Sequence, residues 1–146
     1  MHGNGRWILV ASIALGVTLS GCRNAETAHH REQPAQVEHI DGSDIARVTF
    51  TEQAMQRVDV QTASIREEQV KGIDFKVVPY SSLIYDPHGH TWVYTSPQPR
   101  VFLRRQVSVD RIEGDWVYLG DGPPVGTEVA SVGVAEIYGT EFEIGH

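Results

Sequence analysis

The sequence predicts an all-β domain, a small antiparallel barrel or sandwich with one short helix near residues 52–58. Between residues 101 and 109, apolar and polar side chains alternate with the period of two that indicates a half-buried strand. Turns that contain Pro or Gly separate β-rich segments at residues 86–90 and 113–115. Short strands at this spacing favour a barrel or sandwich over a parallel α/β sheet.

The short helix is predicted from its capping residues. Thr51 can serve as the N-cap, and Glu52 places an acid in the first turn, where the helix dipole favours negative charge. Ala54, Met55 and Val58 fall on one side of such a helix. We therefore expect a short helix with one apolar side.

The remaining elements are predicted strands. Residues 58–65 alternate, and residues 75–85 are β-rich but interrupted by Pro79, which cannot donate to a sheet ladder. Two β-rich arms flank the turn at 86–90. The strand at 101–109 places Arg104 and Arg105 on opposite faces, so we expect at least one of them to be buried or paired. A hairpin and a turn-rich loop then lead to a final strand near residues 129–132.

The first 21 residues have the pattern of a secretory signal peptide. One basic residue, Arg6, precedes an uncharged run from Trp7 to Gly21 that ends in small residues. A spanning helix needs roughly 20 apolar residues, and this run is shorter and diluted by Ser, Thr and Gly. The sequence therefore predicts export rather than a transmembrane helix.

The segment LSGC at residues 19–22 holds the only cysteine of the chain. It resembles the bacterial lipobox, in which small residues precede a cysteine whose thiol is diacylated before the signal is removed. The resemblance implies that Cys22 is a lipid attachment site and the first residue of the mature protein. Two acyl chains are enough for stable anchoring, here to the outer face of the cell membrane, on its periplasmic or extracellular side. The alternative is an ordinary signal peptide followed by a chance cysteine.

Residues 22–45 are predicted to form a flexible tether, and residues 46–146 the β domain. The tether is polar and has too few apolar side chains to offset the entropy of ordering. The whole chain carries a net charge of −7 at pH 7. This acidity argues against binding nucleic acid and against electrostatic adhesion to anionic lipid.

Three segments resemble periplasmic adaptor proteins, the membrane fusion proteins of RND-type efflux systems. KVVPYSSLIYDPHGHTWVYT at 76–95 is similar to the family's V-P-x-S-A-L-I segment and its following W-V-Y-V strand. Residues 104–142 are similar to the strand, hairpin, P-x-G turn and tail that come next, and VTFTEQAMQRVDVQTASI at 48–65 resembles a segment upstream of the first barrel strand. The resemblance implies a membrane-proximal domain that contacts a transporter. The family's lipoyl domain and helical hairpin have no counterpart, because the early segment passes directly into the late one.

Histidines are weak candidates for a metal or small-ligand site. His88 and His90 place two imidazoles near each other in a turn, whereas His29, His30 and His39 lie in the predicted tether. A stable metal site needs three or four ligands held in geometry. Solvated histidines are therefore the favoured interpretation, and no cofactor is expected.

Catalysis is not expected from the polar residues around the same turn. Ser81, Ser82, Asp86 and His88 are close in sequence, but no G-x-S-x-G elbow exposes a nucleophile. A turn that contains Pro and Gly needs polar residues of this kind in any case.

Aromatic and arginine side chains are candidates for binding a partner. Trp92 and Tyr94 share one strand face, and Trp116 and Tyr118 share a face of another strand. The favoured interpretation is that they face the core, but an outward pair would form a sound partner-binding surface. The weak candidates for partner binding are Trp92, Tyr94, Arg100, Arg104 and Arg105.

The favoured function is that of a lipid-anchored, non-enzymatic, adaptor-like accessory subunit of a membrane export complex. An RND-type transporter subunit is the candidate partner, and a homo-oligomer is a further option. The alternative is a free-standing envelope lipoprotein that binds a metal or small ligand through the His88/His90 turn. A third hypothesis is a domain kept for structure alone after a transport role was lost.

Overall fold

The computed structural model describes residues 33–143. Most of these residues belong to ten strands and two α-helices. The strands are β1 (Ala35–His39), β2 (Ala46–Phe50), β3 (Gln61–Ser64), β4 (Arg66–Val70), β5 (Ile73–Pro79), β6 (Ile84–Tyr85), β7 (Thr91–Gln98), β8 (Val101–Glu113), β9 (Trp116–Asp121) and β10 (Glu128–Val132). The helices are α1 (Glu52–Val58) and α2 (Val134–Glu143). The strands form one curled antiparallel half-barrel, so the all-β prediction is confirmed.

The sheet runs in the order β3-β10-β7-β8-β9-β5-β4, and β8 is its organising strand. The first part of β8 pairs with β7 and with β2, while β1 extends the sheet beyond β2. The last part of β8 pairs with β9 through a register shift between Val109 and Arg111. This bulge reverses the face on which the following side chains of β8 lie.

Two apolar cores lie on opposite faces of the central strands. Tyr94 and Ala130 belong to the first core, whereas their chain neighbours Val93 and Val129 belong to the second. Both helices cover the first core, and β5 and β9 close the second. Each large apolar side chain buried in this way contributes about 1.5–3 kcal/mol.

The predicted short helix is confirmed as α1. Thr51 is its N-cap, with Oγ1 accepting the backbone N–H of Ala54 at 3.2 Å. Ala54 is buried in the first core, and Met55 packs against that core. The helix ends at Asp59, whose left-handed backbone lets its N–H bond the carbonyl of Met55.

The predicted tether of residues 22–45 is wrong in its C-terminal part, because residues 35–39 form β1. Ala35 and Val37 alternate toward the first core, and Ala35 is only 1% exposed. The strand pairs along its length with β2, and the hydrogen bonds of this pairing stabilise a segment that has few apolar side chains. The β domain therefore begins about ten residues before the predicted boundary at residue 46.

The C-terminal helix α2 was not predicted. Ile137 is fully buried in the first core, and Tyr138 packs against it. Gly133 directly precedes the helix with a φ of +74°, and a Cβ there would lie 2.8 Å from a methyl carbon of Val60. Glycine is therefore required for both conformation and space at this position.

A tight hairpin joins the N-terminal and C-terminal parts of the domain. Lys71 and Gly72 connect β4 and β5, and both have positive φ values of 51° and 81°. Two consecutive residues with positive φ are typical of the tightest hairpin turns.

No helix within residues 33–143 has the length and apolar character to cross a membrane.

Candidate functional site

Four of the predicted site residues meet in one cleft, which we call the Trp92 cleft. It has a volume of about 490 Å³ and lies between β7, β8, α2 and the turn at 86–90. Its walls combine aromatic rings with ionisable side chains: Asp44, Asp86, Pro87, His88, His90, Trp92, Arg104, Gln106, Tyr138 and Phe142. The predicted residues brought together are His88, His90, Trp92 and Arg104, while Cys22 lies outside the described residues.

Asp86 organises the turn on one side of the cleft. Its Oδ1 accepts the backbone N–H groups of His88 at 2.8 Å and His90 at 2.9 Å. Its Oδ2 lies 2.9 Å from Nδ1 of His90 and accepts the indole N–H of Trp92 at 3.0 Å. Gly89, with a φ of +85°, allows the chain to fold tightly around this carboxylate.

These hydrogen bonds keep Asp86 ionised. Burial opposes ionisation, but the four donors from His90, Trp92 and His88 outweigh it and hold the pKa of Asp86 far below its ordinary value of 3.8. An ionised carboxylate can only accept, so Nδ1 of His90 carries the proton.

Arg104 and Glu141 form a buried ion pair at the bottom of the cleft. Nε of Arg104 lies 3.3 Å from the Glu141 carboxylate, and the two side chains are 6% and 2% exposed. Nη2 of Arg104 donates to the backbone carbonyl of Asp44 at 3.1 Å. The guanidinium carbon lies 4.4 Å from the Trp92 ring centroid and 5.1 Å from that of Phe142. The arginine is therefore held by one carboxylate, one carbonyl and two aromatic rings.

Glu141 also fixes α2 on the sheet. It accepts the hydroxyl of Tyr94 and, at 3.2 Å, the backbone N–H of Ala46 at the start of β2. Burial, the hydrogen bond to Glu141 and the negative charge of Glu141 together raise the pKa of Tyr94 well above its ordinary value. Sequence reasoning missed Glu141, although Val134, Ile137 and Glu141 have the spacing of one helix face.

The burial of Tyr94 and Arg104 contradicts the prediction that their side chains bind a protein partner. Tyr94 is fully buried in the first core, and Arg104 is only 5% exposed. Neither side chain can form the outer surface that a protein partner would contact. Arg104 does confirm the expectation that one member of the Arg104/Arg105 pair is buried and paired.

The three arginines named as partner-binding candidates, Arg100, Arg104 and Arg105, lie in three different places. Arg100 adopts a φ of +67° between β7 and β8, where its carbonyl accepts the N–H of Phe50 at 2.9 Å. Arg105 is exposed and lines a separate groove of about 430 Å³ beside Pro123 and Pro124. Alternation along β8 separates Arg104 from Arg105, so these cations do not act as one patch.

The second aromatic pair is Trp116 and Tyr118 on β9, of which Tyr118 is only 5% exposed. Both lie on the outer face of β4, β5, β9 and the end of β8, which we call the Trp116 face. The guanidinium of Arg66 lies 3.6 Å from the Trp116 ring centroid, and that of Arg111 lies 4.1 Å from Tyr118 and 4.5 Å from Phe75. Trp116 is 36% exposed. This face combines the Trp, Tyr and Arg side chains that dominate protein interfaces.

Acidic side chains complete the Trp116 face. The hydroxyl of Tyr118 donates to Glu68 at 2.8 Å, which raises the pKa of Tyr118. Nε of Arg111 donates to Glu113 at 2.6 Å, and this bond raises the pKa of Arg111. Nη2 of Arg111 is buried and has no hydrogen-bond partner among the described residues.

Metal ligation and nucleophilic chemistry find little support in the described region. The His88 and His90 ring centroids lie 6.2 Å apart. Within residues 33–143, however, no group of three or more His, Cys, Asp or Glu side chains is arranged to hold a metal ion. Ser82 is fully buried, so its hydroxyl is not open to a substrate.

Comparison with known proteins gave no match among family models, curated proteins or solved structures.

Proposed function

We propose that this chain is a lipid-anchored, non-enzymatic, adaptor-like subunit of a membrane export complex. The observation that carries the proposal is the Trp116 face, where the exposed Trp116 stacks with Arg66 and the buried Tyr118 lies beneath Arg111. Such residues supply most of the binding energy in protein interfaces. The candidate partner is a transporter subunit of the RND type, as the resemblance to efflux adaptors implies.

The connection between β4 and β5 supports the adaptor-like part of the proposal. The N-terminal segment, through β2, α1 and β3, joins the same sheet as the C-terminal strands β8 and β10. Periplasmic adaptors insert a lipoyl domain and a helical hairpin between the two corresponding segments. Here the two-residue turn at Lys71 and Gly72 takes that position. A single sheet can thus form from both segments without the inserted domains.

The anchor is proposed from the lipobox resemblance at Cys22. The β domain begins near residue 35, about a dozen residues after Cys22. A diacylated Cys22 would hold the domain near the outer face of the membrane, where a transporter subunit is accessible. Labelling cells with radioactive palmitate tests this directly, because Cys22→Ser should lose the label and leave the membrane fraction.

Purification from native membranes through a C-terminal tag tests the partner. We expect one membrane protein to co-purify with the wild type, and Trp116→Ala should reduce its recovery at least tenfold because a central interface aromatic typically contributes about 2 kcal/mol or more. Tyr85→Ala is the matched control, since Tyr85 is a 53% exposed aromatic residue on the short strand β6. If no protein co-purifies with the wild type, the adaptor proposal is wrong. If recovery is equal for Trp116→Ala and Tyr85→Ala, another surface binds the partner.

The Trp92 cleft favours a second candidate function, that of an envelope lipoprotein that binds a small ligand. In that case the tagged protein would be recovered alone, and ligand binding would depend on the cleft rather than on Trp116. The His88/His90 turn would then act as one wall of the binding site.

A further inference from the structure

We propose that the Trp92 cleft binds a small organic cation with an apolar body, such as an aromatic amine or a quaternary ammonium compound. This inference is independent of the proposed partner binding, because the cleft and the Trp116 face share no residue. It depends on the size of the cleft, on its aromatic lining and on the sign of its charge.

The dimensions and lining of the cleft suit a small molecule. A volume of about 490 Å³ falls within the range of about 300–1,000 Å³ that small-molecule sites occupy. Trp92, Tyr138 and Phe142 contribute three aromatic rings, and the Tyr138 and Phe142 centroids lie 4.6 Å apart. Phe142 is 40% exposed, so a large apolar ring stands open to a ligand. An apolar ligand body would cover this surface.

The charge of the cleft favours a cation. Asp44 and Asp86 are carboxylates in its lining, and the hydrogen bonds of Asp86 keep that group ionised at neutral pH. Among the residues that the structure describes, Arg104 is the only Lys or Arg in the lining, and its charge is offset by Glu141 at 3.3 Å. The lining also contains the imidazole rings of His88 and His90. The two carboxylates of Asp44 and Asp86 therefore outnumber the one guanidinium in the lining.

The aromatic rings already hold a cation. The guanidinium of Arg104 lies over the Trp92 ring at 4.4 Å and near the Phe142 ring at 5.1 Å. The electron-rich faces of both rings are thus oriented toward positive charge. Arg104 takes the bottom of the cleft, since its side chain is 6% exposed, and the space that remains lies toward the exposed Phe142 and Asp44. A ligand cation there would be bound between carboxylate and aromatic faces.

Three probes of similar size and different charge test the proposal: benzyltrimethylammonium, benzyl alcohol and benzoate. Calorimetry on the full-length protein in nonionic detergent should show that the cation binds about tenfold more tightly than either other probe, as expected for one desolvated cation–aromatic contact plus two carboxylates. Binding should weaken as salt rises from low to high concentration.

Two charge-neutralising variants separate the cleft from the rest of the surface. Asp44→Asn should weaken binding of benzyltrimethylammonium about fivefold, because it removes one facing charge but keeps the backbone carbonyl that binds Arg104. Glu67→Gln should have no effect, since Glu67 is an exposed carboxylate on β4, at the far end of the sheet from β7. Benzoate binding as tightly as the cation would overturn the proposal. So would an unchanged affinity in Asp44→Asn, or no binding of any probe at millimolar concentration.

Discussion

Replacing Glu141 with Ala should destabilise the domain by about 3–5 kcal/mol, because it leaves a buried arginine without its carboxylate. Glu141 accepts hydrogen bonds from Tyr94, from the backbone of Ala46 and from Arg104, and its side chain is 2% exposed. No other side-chain carboxylate contacts the guanidinium of Arg104 in the described region. The stability of α2 on the sheet therefore depends on this one side chain.

The magnitude follows from the three hydrogen bonds. All three donors bond the same carboxylate, so each bond involves a charged group and contributes about 1.5–3 kcal/mol. Removing the carboxylate also removes the cost of burying its charge, so the net loss is that of removing one partner of a buried ion pair, about 3–5 kcal/mol. For a domain of this size, such a loss would lower the Tm by about 15 °C.

Urea unfolding followed by tryptophan fluorescence measures this loss in wild type and Glu141→Ala. The double variant Glu141→Leu with Arg104→Met removes both charges, and we expect it to be more stable than Glu141→Ala, since apolar replacement of a whole pair is often nearly neutral. A cost below about 1 kcal/mol for Glu141→Ala would refute the reasoning. So would a double variant that is less stable than the single one.

Three other changes test local features of the fold. Asp86→Asn should lower stability at pH 7, and the difference from wild type should shrink as pH falls below about 4. The lowered pKa of Asp86 stabilises the folded state fully above the unfolded-state value of 3.8, and this stabilisation is lost as pH falls toward the folded-state pKa. Melting curves at several pH values measure the difference, and a constant difference would contradict the reasoning. Gly133→Ala should cost about 2–3 kcal/mol in urea unfolding, through the contact with Val60 and the positive φ, and a neutral effect would contradict the geometry. Deleting Asp110 should reduce the Tm far more than Asp110→Ala, since only the deletion removes the bulge that keeps Arg111 on the outer face; equal losses would contradict that role.

Elements with local signals could be predicted from the sequence. The cap at Thr51 and the apolar side at Ala54 and Met55 define α1 within seven residues, and the structure places the helix there. Turns at 86–90 and 113–115 likewise follow from Pro and Gly in the chain. These features depend on interactions between residues close in sequence, which is why patterns can find them.

Elements that depend on distant partners could not be predicted in this way. The strand β1 has two core-facing residues, Ala35 and Val37, and gains its stability from pairing with β2. Helix α2 contains Gly139, which weakens the helix signal, and a buried Glu141, whose burial is unfavourable until Arg104 and Tyr94 are present. The same limitation applies to the Trp92 cleft, where Trp92 and Arg104 were identified as candidates but Glu141, the carboxylate paired with Arg104, was not.

The strand β8 contributes to both candidate surfaces, and its bulge decides which side chains lie on the Trp116 face. Before the bulge, alternation turns Arg104 toward the cleft and Val107 toward the second core. Strict alternation would continue by turning Arg111 into the second core beside Val109. The extra residue at position 110 instead pairs Arg111 with Tyr118 on the outer face. A charged side chain is thereby kept out of the core, and the Trp116 face gains the cation that stacks on Tyr118 and Phe75.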